Sequence, residues 1–417
     1  MSTLTTATRM WLTRTRKPFV FTPDNDDMLD FRELQNLGLY VHIPFCAKIC
    51  DFCPYCKTLF DKDLCDRYIE SLLKEIRKVG ASNGEKKEVT SLYFGGGTPP
   101  LAAGRIKEII DEISKYYKIT DGIGLELHPG NVNVETLTKL KEAGITKISI
   151  GIQSFSPKFS KILGRPEPDK EKIRAALSEV SFETVSMDFI FALPEQSFDD
   201  LKSDIDTAFD IGANHIAIYP FIDFTFTGSP VKAMPKKEKQ KLLYDITDHC
   251  YSKELTRDSI WTFSNGGEAH YSSMTRENFL GFGCSATTLL KDSFKINTFD
   301  VNEYIKRVEE DKLPTSLTIR FTKRQRMVYW LFWTLYTTKL YGKDFERFFG
   351  KKLGGQYGLE LTIGRMFGLL KKKGDMYELT SKGAFYYHYY ENFYTLSYID
   401  KMWGIMRKEA FPKGIEL

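Results

Sequence analysis

Apolar and polar positions along this chain follow two rhythms that take turns. From Leu39 onward, short apolar runs alternate with segments whose apolar residues recur at helical spacing. The runs GLYVHIPF (38–45), VTSLYFGG (89–96), GIGLELHP (122–129), KISIGIQS (147–154), SMDFIFALP (186–194) and HIAIYPF (215–221) predict strands. Between them, residues 63–79, 105–117, 134–143, 170–180 and 198–211 predict helices. In the first helix Tyr68, Leu72 and Ile76 lie on one stripe. Strand and helix in strict turn mean an α/β fold, a parallel sheet with right-handed crossovers. The expected form is a partial or full (β/α) barrel.

The Pro- and Lys-rich stretch at 228–241 ends that rhythm, and residues 241–310 are mixed. Past Leu317, helical segments are expected at 323–337, 343–348 and 359–373. KKKGDMYELTSKGAFYY then reads as a turn, a short strand and a helix, which resembles the wing of a winged-helix module. The expected domains are an arm (1–38), a barrel core (39–230), an extension carrying cofactor and substrate loops (231–316), and a mostly helical lid (317–417). Composition decides how to read the last one. Lys+Arg minus Asp+Glu is 59 − 55 = +4 in 417 residues, too near balance for a bulk nucleic-acid binder. A packing or lid role is therefore expected, with no membrane partner and with nucleic-acid binding by the C-terminal region kept as the outside alternative. Met327 to Tyr336, the longest aromatic-rich run, is about half a bilayer span. The start, MSTLTTATRMWLTRTRK, lacks a secretory h-region and reads as a solvated basic arm, with organelle transit the alternative. A cytoplasmic location follows.

Seven cysteines are present, and four crowd into HIPFCAKICDFCPYC: Cys46, Cys50, Cys53 and Cys56. Cys65, Cys250 and Cys284 are scattered. An odd count with this clustering argues against a disulfide framework. Thiolates this close, after a strand end, point to a metal or an iron–sulfur centre. Structural zinc usually takes two pairs with a longer spacer. Three ligands on one loop clamp three corners of a cubane and leave one iron open for a substrate or cofactor.

C-x3-C-x2-C after a strand resembles the signature of the radical S-adenosylmethionine (SAM) superfamily. The phrase YVHIPFC is similar to the branch of oxygen-independent coproporphyrinogen III oxidase, which also holds class C radical SAM methyltransferases and a haem-trafficking homologue. The likeness runs over roughly residues 38–310. It implies a 4Fe-4S cluster on Cys46, Cys50 and Cys53, with Tyr40 beside them at the reacting centre. It also implies SAM, two molecules in the class C case. Gly95-Gly96-Gly97-Thr98-Pro99 resembles the family's GGGTP motif, placing Gly96, Gly97 and Thr98 at the SAM amino group, with backbone N–H groups free to donate. Glu126 would hold the ribose diol, since a buried carboxylate needs such a partner. Gln153, Arg165 and Asp188 would line a second SAM or the substrate. Tyr40, Phe52, the backbone at Pro220, and Thr287 in FLGFGCSATTL (279–289) fall at cofactor-contacting positions. Ala192 stands where the family commonly has Gly. Cys56 sits one step late for the oxidase's fourth cysteine, and both it and Cys284 are read as buried thiols. His128 is assigned no chemistry.

The resemblance implies an enzyme that takes one electron from a donor such as flavodoxin or ferredoxin and cleaves SAM reductively. The main expectation is transfer of a methyl or methylene group from a second SAM to an unsaturated carbon of a small molecule. The alternatives are oxidase-like decarboxylation and, without turnover, haem binding or trafficking. A pocket for four propionates should show several cations in register, and only Arg165 and Arg276 stand out. Aromatic residues at helical spacing, Tyr329, Trp330, Phe332, Trp333 and Tyr336, read as core or as a cap over a flat substrate. Phe385, Tyr386, Tyr387, Tyr389 and Tyr390 read the same way.

Overall fold

The computed structural model describes residues 3–23, 28–266 and 277–417. Arg276 lies outside them. All six expected strands form: β1 (Leu37–Ile43), β2 (Leu92–Gly96), β3 (Ile123–Leu127), β4 (Lys147–Gln153), β5 (Thr184–Phe191) and β6 (His215–Pro220). Each pairs with the next in parallel. The crossovers carry α1 (Lys62–Ala81), α2 (Ala103–Tyr116), α3 (Val134–Glu142), α4 (Lys170–Glu179) and α5 (Phe198–Asp210). Local sequence starts these helices where the periodicity does. Asp61 caps α1 by accepting from the Leu64 N–H at 2.8 Å, and Ser197 with Asp200 forms a capping box on α5. Tyr68, Ile69, Leu72 and Ile76 are fully buried on one face of α1, the packing that holds this otherwise marginal helix to the sheet.

The sheet continues on both sides. Past β6 come β7 (Thr256–Arg257) and β8 (Thr262–Ser264), antiparallel. β9 (Asn278–Phe282) joins β1 in parallel, and β10 (Thr287–Leu289), β11 (Ser293–Asn297) and β12 (Thr315–Arg320) follow as an antiparallel run. The order is β7-β8-β6-β5-β4-β3-β2-β1-β9-β10-β11-β12, a mixed twelve-stranded sheet. Among the described residues its two edges do not pair, so the barrel is partial. α6 (Lys236–Ser252) follows the loop after β6, and α7 (Val301–Glu309) packs on α1.

Beyond β12 the chain builds α8 (Lys323–Tyr336), β13 (Lys339–Tyr341), α9 (Gly342–Phe349), α10 (Leu353–Met366), β14 (Leu370–Lys373), β15 (Met376–Leu379) and α11 (Ser381–Tyr394). β13, β15 and β14 form a small antiparallel sheet with the Lys-rich turn as its wing. One expectation needs correcting here. The helix expected at 359–373 begins earlier, ends at Met366, and gives way to β14. Gly368, at φ +68°, breaks it, and Lys371 to Lys373 fill an exposed strand rather than a helix end.

The basic arm is also corrected. Residues 3–13 form a helix, Arg9 is only 6% exposed, and its guanidinium donates to the Lys17 carbonyl while covering the Phe19 ring. The arm continues into Val20–Phe21, which pairs antiparallel with Ile415–Glu416. Among the described residues, no helix is long and apolar enough to cross a membrane.

Candidate active site

The loop that follows β1 carries the three expected thiols. Cys46, Cys50 and Cys53 are half-buried. Among the described residues none of their S–H groups donates to a protein carbonyl. Thr98 Oγ1 points at Cys46 Sγ from 3.9 Å, and the Arg165 guanidinium acts on all three sulfurs. Burial, reinforced by Cys53 and Cys50, pushes the Cys46 thiol up to about 11. Burial raises the Cys50 thiol as well, so Cys46 and Cys50 favour releasing their protons to a cation. Among the described residues no three His, Cys, Asp or Glu side chains converge as a single ion would need. A cubane spreads its thiolates over separate corners, so this loop suits an iron–sulfur cluster better than a lone ion.

Cys56 and Cys284 are different. They are 5% and 0% exposed, with sulfurs 3.6 Å apart. Each S–H reaches a carbonyl: Phe299 O at 3.2 Å from Cys56, and Thr298 O at 3.2 Å from Cys284. Both are buried thiols, as read from the sequence.

The glycine motif ends β2 next to the loop, but its N–H groups are not free. Gly97 N–H donates to Ile43 O at 2.8 Å, Thr98 N–H to Phe45 O at 2.7 Å, and Gly96 N–H to Glu126 Oε2 at 3.1 Å. This corrects the expectation of free donors. A methionine ammonium is itself a donor, so acceptors are what it needs. Gly96 has φ +117°, and a Cβ there would meet the His42 ring at 2.6 Å, so close packing on His42 requires the glycine.

Glu126 sits on β3 facing the same space. Burial raises it, while the Gly96 N–H, His42 and Tyr93 pull it back. Tyr40 on β1 donates or accepts across 3.0 Å to His42 Nδ1, and burial followed by Glu126 raises its phenol well above the usual range. His42, 3% exposed, also contacts Cys56 O at 3.0 Å and Ser285 Oγ at 3.4 Å, tying β1 to the cysteine loop and to β9's end. The sequence reading quoted this histidine inside YVHIPF without assigning it. An inward-facing imidazole in an apolar strand was the available signal.

Asp188 on β5 accepts from Ser149 Oγ at 2.8 Å on both oxygens and from Ser186 Oγ at 3.2 Å. Burial and Glu126 still push it up to about 7. Gln153 ends β4 with φ +70°, a conformation glycine favours, and its amide lies against Gly151. Arg165 Nη1 donates to Gly151 O at 3.1 Å, which parks its guanidinium between β4 and the thiols. Ala192 has φ +67°, the strain that explains why glycine is usual at that position. Pro220 closes β6 opposite Phe191. The Thr287 backbone packs on Gly281, the residue paired with Tyr40. Phe52 is placed otherwise: it joins an apolar cluster with Phe159, Leu163 and Phe221. His128 lowers to about 4 through burial and Arg165, and its Nδ1 accepts from Gly130 N–H at 3.0 Å, a turn-capping role.

These groups surround an internal chamber. Tyr55 keeps 55% of its surface accessible, yet desolvation, Glu126, Cys53 and Asp188 all raise its phenol. Its ring is thus accessible and lies close to Glu126, Cys53 and Asp188. Tyr336 of α8 feels Glu391 of α11 together with Tyr55 and Asp188, so the C-terminal helices close the chamber. Burial pushes Glu391 up to about 8, with Trp261 its bonding partner and Oε2 unpaired. Sequence reasoning missed Tyr55 of the cysteine loop and Glu391 of the lid, because nothing local shows which side chains of a loop or a lid helix face inward.

The comparisons agree with this geometry. Residues 40–208 match the model of the Radical SAM superfamily. Over those residues the chain is similar to that superfamily, and along most of its length it is similar to coproporphyrinogen oxidases and haem chaperones. It is 27% identical to the heme chaperone HemW of Bacillus subtilis over 361 residues, covering 82% of this chain and 95% of that protein. It is 25% identical to the oxygen-independent coproporphyrinogen III oxidase of Synechocystis over 406 residues, covering 86% of each. Its fold matches that of coproporphyrinogen III oxidase (HemN) from Escherichia coli with a TM-score of 0.75 at 20% identity, over 91% of this chain and 97% of that one. The superfamily implies a 4Fe-4S cluster and SAM, and the unsatisfied thiols with Arg165 beside them fit that pair.

Proposed function

We propose that this protein is a radical SAM enzyme that removes a hydrogen atom from a propionate side chain of an organic ring system held in the chamber, with loss of carbon dioxide, in the manner of the oxygen-independent coproporphyrinogen III oxidases. The observation that carries the reading is the loop of three thiols without internal acceptors, set beside Arg165 and opening on Glu126 and Asp188. When bound, the cluster and SAM supply one-electron cleavage of SAM and a carbon radical able to abstract hydrogen. The chain's own residues do the rest. Cys46, Cys50 and Cys53 would hold the cluster. Glu126 would accept from the ribose hydroxyls, with Tyr40, Pro220 and Thr287 around the nucleoside. Arg165 offers a planar fork to a carboxylate. Asp188, raised to about 7, and Glu391, raised to about 8, offer oxygens that accept from ring N–H groups while carrying less bare charge than ordinary carboxylates would in a buried chamber. Tyr55 and Tyr336 supply aromatic faces. A one-electron donor such as flavodoxin or ferredoxin belongs to this proposal.

Methyl transfer from a second SAM was the sequence's first reading. None of the relatives named above is a methyltransferase, so oxidase-type hydrogen abstraction is preferred. The haem-chaperone reading keeps a place because the match to HemW spans 95% of that protein. One experiment separates the three. Anaerobically reconstituted protein is given dithionite, SAM and coproporphyrinogen III, and products are followed by mass spectrometry. 5′-Deoxyadenosine with loss of carbon dioxide from the substrate is expected. S-adenosylhomocysteine would restore methyl transfer. Absence of both, with stoichiometric haem retained, would overturn the enzymatic reading.

A further inference from the structure

A second cavity lies outside the chamber, between the loop after β6, the start of α6 and one side of α11. It has a volume of about 210 Å³, room for several waters or a small organic molecule. Its polar lining is Asp223, Lys236, Lys239, His388 and Asn392, and Phe385 and Leu396 supply an apolar wall.

The start of α6 is built against its own dipole. Pro235 occupies the N-cap and provides no side-chain acceptor. The first turn holds Lys236, Lys237 and Lys239 with Glu238 its one acid, although a helix N-terminus favours negative charge. Lys239 is 8% exposed. The charge facing it is Asp223, whose Oδ1 is already engaged by the Ala233 N–H at 2.8 Å. Lys236 lies over the Tyr389 ring at 3.6 Å. Two ammonium groups and an uncapped helix end thus meet one carboxylate.

A second observation comes from α11. His388 is 2% exposed, lines this cavity, and its Nδ1 has no hydrogen-bond partner. Its ring is held edge-on to Trp261 at 4.4 Å and packs near Phe191 and Phe385. A buried imidazole with an idle nitrogen is costly unless something fills the space beside it.

We propose that this cavity is a binding site for a small organic oxyanion, a carboxylate or phosphate ester carrying a short apolar body. The oxyanion would meet the α6 N-terminus with Lys236 and Lys239, restoring charge balance against Asp223. Its apolar end would lie on Phe385 and Leu396, within reach of His388 and Asn392. The site is independent of the radical chemistry proposed above.

Calorimetric titration of the reconstituted full-length protein with benzoate, phenyl phosphate and inorganic phosphate tests this. Benzoate or phenyl phosphate should bind at one site per chain and more tightly than inorganic phosphate. The tighter of the two identifies the head group. Lys239→Met should weaken binding by about ten-fold or more, Lys236→Gln by less, and 5′-deoxyadenosine formation should stay unchanged in both. Failure of all three probes to saturate the wild-type protein at millimolar concentration would overturn the site, as would equal binding by both variants. If Lys239→Met does not fold, Lys236→Gln decides alone, since its side chain is exposed.

Discussion

Cys53 and Cys56 sit three residues apart in sequence, yet they belong to two groups of cysteines in different environments. Cys46, Cys50 and Cys53 are half-exposed, with no carbonyl to receive their protons and a guanidinium nearby. Cys56 is buried against Cys284, and both thiols are spent on carbonyls. The difference shows that spacing alone does not make a ligand. A thiol becomes available for iron when the fold leaves it unpaired and near positive charge.

The sharpest way to break that contrast is substitution on each side. Cys50→Ala should abolish iron–sulfur absorption and 5′-deoxyadenosine formation together. Cys56→Ala should keep both, and lose about 1 kcal/mol of stability with its S–H bond. Loss of the cluster in Cys56→Ala would erase the distinction. Next in size, Glu126→Gln should weaken SAM binding by about 10- to 100-fold, the worth of hydrogen bonds to a charged acceptor. Equilibrium dialysis with unreduced protein would measure it without turnover.

A smaller effect follows from the lid. Glu391 has its folded value raised from 4.5 to about 8. Between those values the folded chain holds a proton that the unfolded chain has released, so stability falls as pH rises through that window. Glu391→Gln should flatten the slope of melting temperature between pH 5 and about pH 8. An unchanged slope would remove Glu391 from the chamber. Smallest of all, the combined Lys371→Glu, Lys372→Glu and Lys373→Glu variant should shift stability by under about 0.5 kcal/mol and leave SAM cleavage intact. Those three residues stand exposed on the wing. Salt-sensitive DNA binding by the native chain, lost in this variant, would instead give the wing a nucleic-acid role.

The barrel was legible because its signals are local. Each strand is a short apolar run, each helix has its own stripe and cap, and their order fixes the sheet. The thiol loop and Glu126 were legible as polar residues at strand ends, Asp188 as a carboxylate inside an apolar strand, and Arg165 as a cation in the loop that follows β4. What the sequence hid was non-local. The fate of the GGG amides depends on β1 and β3. The inward turn of Glu391 depends on how α11 meets Trp261. The burial of Arg9 depends on Phe19 and the Lys17 carbonyl. Phe52, a motif position, packs its ring against an apolar cluster, a side-chain placement that the motif does not show.

The clasp between Val20–Phe21 and Ile415–Glu416 has a consequence for how the molecule is made. Phe19 and Leu417 exchange both backbone hydrogen bonds at 2.8 Å. Residues 19–21 therefore wait, through synthesis of everything between, for the segment that completes their pairing. Closing so long a loop costs entropy that only an already folded barrel can reduce by holding the ends near each other. The clasp should form after the barrel that lies between its two strands and be among the first elements to open.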